Sequence, residues 1–216
     1  MVLWVILPVS LALVSFLGTW TVYGLALSNK HVCSLTDCTS GRSAPESSLF
    51  SATINAGAFL FLLFCIFHHA HILEKHACHF MLSRVGLAFG VVAAMGAFAA
   101  GNCNPGDLPV LHHLGAAVSF LCICFYTTIL TALTRLYTLS GYERILLPLR
   151  VASTVLQIIV TICCILHRAV FEWMLSVNLQ LFELSFAVEF CFFSSFMLAN
   201  IFGKQEDEKP LMLTMS

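Results

Sequence analysis

The chain has 216 residues, of which 59% are hydrophobic and only 10% are charged, and its mean hydropathy is +0.93. Soluble domains carry about 25% charged residues, so the composition excludes an ordinary soluble protein and predicts an all-α, polytopic membrane protein whose solvent is the lipid bilayer. The net charge of −1, without a basic stripe, excludes a nucleic-acid-binding surface.

The first half of the chain contains three apolar runs, each long enough for a transmembrane helix of roughly 20 residues. Residues 3–27 form the first, with Pro8 in its first turn, where proline is tolerated. A cleaved signal peptide is the alternative, but the run lacks a basic start and exceeds the usual length of about 7–15 residues. Residues 49–73 form the second run. Residues 80–100 form the third, which is rich in glycine and allows helices to approach closely.

The second half of the chain contains three further apolar runs, at residues 110–134, 149–167 and 176–202. We predict a polar connector at 135–148 and a short turn at 168–175. The six runs together predict a six-transmembrane-helix bundle over residues 1–203, followed by a polar tail at 204–216.

The distribution of Lys and Arg predicts the orientation of the bundle, because cytoplasmic loops carry an excess of these residues. One side holds seven of them and the other holds three. The seven are Lys75, Arg84, Arg135, Arg144, Arg150, Lys204 and Lys209, and the three are Lys30, Arg42 and Arg168. We therefore expect both termini in the cytoplasm and the loop at residues 28–48 on the opposite side.

Polar side chains inside the predicted spans are the first candidates for a special role. Asn55 lies in the second span, and Glu183 and Glu189 lie in the last. An ionisable residue at bilayer depth costs about 2.5–3.5 kcal/mol on insertion scales, so we expect these side chains to face other helices and hold them together. His112 opens the fourth span, and two alternatives remain for Glu183: a pair with His112, or a carboxyl that is protonated or bonded to a neighbouring Asn or Ser.

Cysteine and histidine residues suggest two further sites. Cys33, Cys38 and Cys103 fall on the predicted outer side, where disulfides persist; a Cys33–Cys38 bridge, a bridge from that loop to Cys103, and no bridge all stay open. The densest set of potential zinc ligands consists of His68, His69, His71, His76, Cys78 and His79. We interpret this set as histidines at the membrane interface and predict no metal and no cofactor.

The sequence contains no nucleophile motif, phosphate-binding glycine loop or HExxH motif, so we predict no enzymatic activity and identify no small-molecule substrate. The tail offers a different feature. Asp207, Leu211 and Met212 resemble an acidic dileucine sorting signal, which cytosolic adaptors read. A plain disordered tail is the alternative.

Short segments throughout the chain carry a family resemblance. They are residues 7–10, 18–23, 29–33, 45–51, 55–59, 101–104, 111–116 and 182–184. As a set they resemble the transmembrane protein 150 proteins, which belong with the damage-regulated autophagy modulators (the DRAM family). Departures from the family pattern occur at Cys103, Asn104, Leu184 and Asn200.

This resemblance implies six helices and a non-enzymatic regulatory role with protein partners. The reading we adopt is a membrane regulator or adaptor that modulates autophagy in the endosomal and lysosomal system. The alternatives that the resemblance implies are a plasma-membrane adaptor for phosphoinositide kinase recruitment, a mechanosensitive channel or channel subunit, and a lipid or glycolipid-anchor remodelling factor.

Overall fold

The computed structural model describes residues 3–34, 40–75, 80–137, 141–166 and 168–191. A 3₁₀ turn at Leu3–Val5 leads into seven α-helices within this part of the chain. They are α1 (Ile6–Ser28), α2 (Glu46–Lys75), α3 (Phe80–Asn102), α4 (Pro109–Leu136), α5 (Glu143–Leu166), α6 (Arg168–Leu184) and α7 (Ala187–Phe190).

Five of these helices, α1 to α5, are long and apolar enough to cross a membrane. Large apolar side chains such as Leu13, Met95 and Ile145 are exposed on their outer faces, where lipid tails replace water as the solvent. The protein is therefore a polytopic helical membrane protein, as its composition predicts. The sixth helix, α6, has 17 residues and rises about 25 Å, which is less than the roughly 30 Å hydrocarbon core.

The helices pack in a closed ring. Each of α1 to α6 contacts its neighbours along the chain, and α6 also packs against α1. Aromatic side chains mark this closure, because Trp173 of α6 lies 5.1 Å from Trp20 and 5.7 Å from Tyr23 of α1, measured between ring centroids. Because α6 packs against α1, the helices enclose an interior space, which six helices side by side in an open layer would not do.

Helices α3 and α4 approach each other closely, and glycine makes this approach possible. A Cβ atom on Gly96 would lie 2.7 Å from the carbonyl oxygen of Gly115, and a Cβ on Gly115 would lie 2.8 Å from the backbone nitrogen of Ala100. The two backbones therefore touch directly. The glycine-rich third span predicted such an approach, and the structure confirms it.

The structure corrects the predicted boundaries in the second half of the chain. Helix α5 begins at Glu143, with Pro148 inside it, so the predicted connector at 135–148 is too long. Helix α6 begins at Arg168, so the predicted turn at 168–175 is wrong. The predicted span at 176–202 is not one helix either, because a turn at Ser185 and Phe186 separates α6 from α7.

Arg150 explains the break after α6. Its Nη2 donates a hydrogen bond of 3.0 Å to the backbone carbonyl of Ser185, and its Nε donates one of 3.0 Å to the Ser185 hydroxyl. A side chain that inserts into the backbone hydrogen-bond ladder is a known cause of a helix kink. The helix breaks where a residue of α5, far away in sequence, binds its backbone.

Candidate functional site

A buried carboxylate joins the loop ends of α1 and α2. Glu46, the first residue of α2, is fully buried, and its Oε1 accepts a 2.6 Å hydrogen bond from Asn29 Nδ2 just beyond α1. His31 Nδ1 lies 3.1 Å from the same oxygen. The three side chains fix how the chain leaves one helix and enters the next.

Asn55 pairs with Asn102 in a reciprocal amide contact between α2 and α3. Asn102 Nδ2 donates to Asn55 Oδ1 at 2.8 Å, and Asn55 Nδ2 donates to Asn102 Oδ1 at 3.1 Å. Each amide thus satisfies both a donor and an acceptor of the other. This contact has the helix-joining form expected for Asn55.

His112 does not pair with Glu183. Its Nδ1 lies 2.9 Å from the backbone carbonyl oxygens of both Ala100 and Cys103, which terminate α3. The ring therefore binds the end of α3 near the loop side of the bundle. The alternative of a His112–Glu183 pair is wrong for this structure.

A cavity of about 320 Å³ lies inside the helix ring. Ser40, Gly41 and Arg42 of the first loop line its mouth, where Asn104 Nδ2 donates a 2.9 Å hydrogen bond to the Arg42 carbonyl and holds that loop in place. Apolar side chains line much of its wall, among them Leu11, Phe61, Ile123 and Leu179. The volume falls within the range of about 300–1,000 Å³ that is typical of small-molecule sites.

Glu183 lies at the deep end of this cavity. The cavity follows α6 from Glu172 near the loop side down to Glu183, a distance of roughly 16 Å at about 1.5 Å per residue. Glu183 is only 2% exposed. Among the described residues no hydrogen bond or ion pair reaches its carboxyl, so the interhelical hydrogen bond expected of Glu183 is not found there.

Amide and hydroxyl side chains tie α5 to α6 beside the cavity. Asn178 Nδ2 donates to Gln157 Oε1 at 2.7 Å, and Ser153 Oγ donates to Asn178 Oδ1 at 2.9 Å. All three side chains are buried. Their mutual hydrogen bonds offset the cost of burying polar atoms away from water.

A second polar centre lies at the other end of the bundle, around Arg150 and Glu189. The Arg150 Nη1 and Glu189 Oε1 atoms are 2.5 Å apart, and both side chains are at most 1% exposed. Thr134 accepts a 2.8 Å hydrogen bond from Arg150, and the guanidinium carbon lies 3.5 Å from the centre of the Phe186 ring. His68 Nε2 completes the group at 3.6 Å from Glu189 Oε2. Residues from α2, α4, α5 and α7 therefore meet at one buried charge pair.

The histidines near the end of α2 do not form a metal site within the described residues, where no group of three or more His, Cys, Asp or Glu side chains could hold a metal ion. His68 faces Glu189, whereas His69 Nδ1 lies 2.7 Å from the Ser83 hydroxyl. His76, Cys78 and His79 lie outside the described residues.

The residues of the candidate disulfide lie partly within the described part of the chain, and those of the candidate sorting signal lie outside it. Cys33 and Cys103 carry free thiols, so no bridge joins them. Cys38 lies outside the described residues, as do Asp207, Leu211, Met212 and Asn200. Because the Cys33 thiol is free, the structure has no Cys33–Cys38 bridge either, and the sorting signal stays a prediction.

Comparison with known proteins gives a family. The model of the Frag1/DRAM/Sfk1/Cwh43P N-terminal domain matches residues 3–199, which is nearly the whole chain. The chain belongs to the Frag1/DRAM/Sfk1 family. The resemblance to the DRAM and transmembrane protein 150 proteins is thereby confirmed.

Relatives within this family match along most of their length. Human transmembrane protein 150A is 28% identical over 237 residues, covering 88% of this chain and 84% of its own. The modulator of macroautophagy TMEM150B of Xenopus tropicalis is 29% identical over 200 residues, covering 87% and 86%. The protein of that name from Bos taurus is 32% identical over 53% of this chain. No solved structure matches the chain.

Several segments that resemble the Frag1/DRAM/Sfk1 family meet one another in the structure. Segment 29–33 meets segment 45–51 through Asn29 and Glu46, and segment 55–59 meets segment 101–104 through Asn55 and Asn102. Segment 111–116 supplies Gly115, which touches Gly96. These motifs are the points at which the loop-side halves of the helices are joined.

Sequence reasoning missed Glu46 and Arg150. The sequence marks Glu46 only as part of segment 45–51, although an acidic residue at a helix start, with Asn29 and His31 before it, is a signal of such a contact. Arg150 was counted among the cytoplasmic cations, but the structure buries it completely. Its partner Glu189 is distant in sequence, so only the fold reveals the pair.

Proposed function

We propose that this chain is a non-enzymatic, multi-pass membrane regulator that modulates autophagy in the endosomal and lysosomal system. The observation that carries the proposal is the match to TMEM150B proteins named modulators of macroautophagy, which extends over 87% of this chain and 86% of the Xenopus tropicalis relative. Because the match covers nearly the whole length of both chains, it concerns the complete helix ring rather than one shared segment.

The arrangement of polar groups supports a regulatory role. Arg150 is paired with Glu189, Asn55 with Asn102, and Gln157 with Asn178, so these polar groups bind helices to one another. Such contacts specify a defined scaffold that partners can recognise. The partners that fit this role are membrane or cytosolic proteins that contact the loops and the tail.

The topology belongs to the same proposal. In it, α6 and α7 are parts of a sixth span, interrupted at Ser185, which gives six spans and places both termini on one side. The excess of Lys and Arg on that side supports a cytoplasmic location for it. The tail at 204–216 is then available to cytosolic adaptors.

A plasma-membrane adaptor for phosphoinositide kinase recruitment is the second candidate. Human transmembrane protein 150A is 28% identical over 88% of this chain, and this identity is nearly equal to the 29% of the Xenopus tropicalis TMEM150B protein. The two candidates differ in the membrane on which the protein acts.

Location and autophagic flux test the proposal together. Cells that lack the protein are compared with the same cells after re-expression, and flux is measured as the lysosomal turnover of a lipidated autophagosome marker with and without an inhibitor of lysosomal acidification. We expect the protein on endosomes and lysosomes and a flux that changes on its removal. Location at the plasma membrane with unchanged flux would reject the proposal and favour the second candidate.

A further inference from the structure

The cavity inside the helix ring contains a carboxyl group that the protein itself leaves without a partner. Glu183 is 2% exposed and lines the cavity, and no described residue donates a hydrogen bond to it. The other buried glutamates differ in this respect: Glu46 is bound by Asn29 and Glu189 is bound by Arg150. An ionisable group at bilayer depth normally pairs with another group, and one that does not marks a candidate binding site.

The chemistry of the cavity identifies the class of ligand. An ionised carboxylate has only acceptors, so its partner must supply hydrogen-bond donors. A cation also supplies the opposite charge, which counts for more inside a low-dielectric bundle than in water. Of the lining residues, Arg42 carries a positive charge and Glu172 a negative charge, and Glu183 adds a second negative charge whenever its carboxyl is ionised.

The shape and the walls of the cavity restrict the ligand further. Much of the wall between Glu172 and Glu183 is apolar, with Phe61, Ile123 and Leu179 facing the space. A fully hydrated metal ion gains nothing from such a wall, whereas an organic cation with an apolar body buries that body against it. A volume of about 320 Å³ accommodates a small organic molecule rather than a two-chain phospholipid.

From these observations we propose that the cavity is a binding site for a small organic amine, with the ammonium group at Glu183 and an apolar body against α1, α2, α4 and α6. The ligand enters at the loop end, past Arg42 and Glu172. The site is independent of the proposed role in autophagy, because it depends only on Glu183 and the walls of the cavity.

Three probes of one shape and different charge test the proposal on the full-length protein in lipid nanodiscs. They are 4-phenylbutylamine, 4-phenylbutanol and 4-phenylbutyrate, which place an ammonium, a hydroxyl and a carboxylate on the same apolar body. Binding is measured by calorimetry and by the shift in thermal unfolding temperature. We expect the amine to bind about ten- to hundredfold more tightly than the alcohol, as hydrogen bonds to charged groups imply, and the carboxylate not to bind. Equal binding of amine and alcohol, or no binding of the amine, would overturn the proposal.

Two variants locate the bound amine. Glu183→Gln keeps the size of the side chain but removes its charge, and we expect it to abolish the preference for the amine over the alcohol. Glu172→Gln is the matched control, because it removes the same charge at the mouth and is expected to keep most of that preference. If Glu172→Gln abolishes the preference and Glu183→Gln does not, the amine binds at the mouth and the proposal is wrong.

A third variant keeps the test decisive even if Glu183→Gln does not fold. Ala97 of α3 lines the cavity, and Ala97→Leu fills part of the space without removing a polar group. We expect Ala97→Leu to weaken binding of the amine and the alcohol alike by about tenfold, because the apolar body loses its space. Unchanged affinity for both probes would place them outside the cavity and reject the site.

Discussion

Arg150 of α5 and Glu189 of α7 form an ion pair with 2.5 Å between Nη1 and Oε1, at a position where neither side chain meets solvent. Thr134, Ser185 and the Phe186 ring surround the guanidinium group. The two charges therefore compensate each other at a depth where a single charge is costly. The pair links the beginning of α5 to the end of the described chain.

Breaking this pair is expected to destabilise the protein strongly. Glu189→Gln leaves the Arg150 charge buried and uncompensated, which costs about 3–5 kcal/mol. Replacing both residues in Arg150→Met/Glu189→Leu removes both charges and is expected to recover most of the loss. Thermal unfolding and monodisperse yield in detergent measure the effect. A double variant as unstable as Glu189→Gln would contradict the pairing.

The Asn55–Asn102 contact is expected to contribute modestly. Asn55→Leu removes two hydrogen bonds between α2 and α3, with an expected cost of about 0.6–2 kcal/mol each and a lower folded yield. Asn102→Leu and the double variant complete a double-mutant cycle. The coupling energy should be favourable, and strictly additive effects would show that the two amides do not interact.

The contact between α3 and α4 predicts a sharp difference between two glycines. Gly96→Ala places a Cβ 2.7 Å from the Gly115 carbonyl oxygen, so the helix backbones must separate. We expect a loss of about 1–3 kcal/mol, as is typical of overpacking. Gly24→Ala in α1 is the matched control, because no atom lies within 4 Å of the added Cβ. Equal unfolding temperatures for the two variants would argue against the contact.

Cys33 allows a direct test of orientation. It is exposed, carries a free thiol and lies in the loop after α1. We expect a membrane-impermeant maleimide added to the non-cytoplasmic side to label Cys33, and the Cys33→Ser variant to lose that label. A cysteine introduced at Ser216 should react only after the membrane is permeabilised. Labelling of the tail in intact membranes would reverse the proposed topology.

The tail gives the last prediction. If Leu211 and Met212 are part of a sorting signal, changing both to alanine removes the apolar pair that adaptors read, and the protein moves from endosomes and lysosomes to the cell surface. Changing Leu213 to alanine is the matched control and should have no effect. An unchanged distribution of the double variant in fluorescence microscopy would assign location to the helices alone.

The first four predicted spans agree with the bounds of α1 to α4 within a few residues, because a long apolar run is what a helix in lipid requires. The prediction failed around Arg150 and Ser185, where contact between distant residues overrides local pattern. Arg150 is the second residue of the predicted fifth span and is counted among the cytoplasmic cations, but its partner Glu189 holds it inside the bundle. Periodicity likewise gave no sign of the turn at Ser185, since Arg150 creates it.

For the candidate site, the sequence singles out Glu183 and His112 and leaves open whether they pair. Both residues line the same cavity, yet His112 binds the end of α3 through Ala100 and Cys103. The carboxyl of Glu183 lies much deeper along α6. The depth of a side chain along the bundle axis depends on the residue at which its helix begins. The predicted last span begins at residue 176, whereas α6 begins at Arg168, so the depth of Glu183 could not be predicted from the sequence.

The distance in sequence between Arg150 and Glu189 has a consequence for biosynthesis. A chain emerging from the ribosome delivers Arg150 to the membrane well before Glu189 exists, and an unaccompanied arginine at that depth costs about 2.5–3.5 kcal/mol on insertion scales. The fifth helix should therefore wait at the translocon, or at the membrane surface, until the last helix arrives, and the two should enter the bilayer as one hairpin. A nascent chain stopped before Glu189 would then be a substrate for membrane quality control rather than a stable five-helix protein.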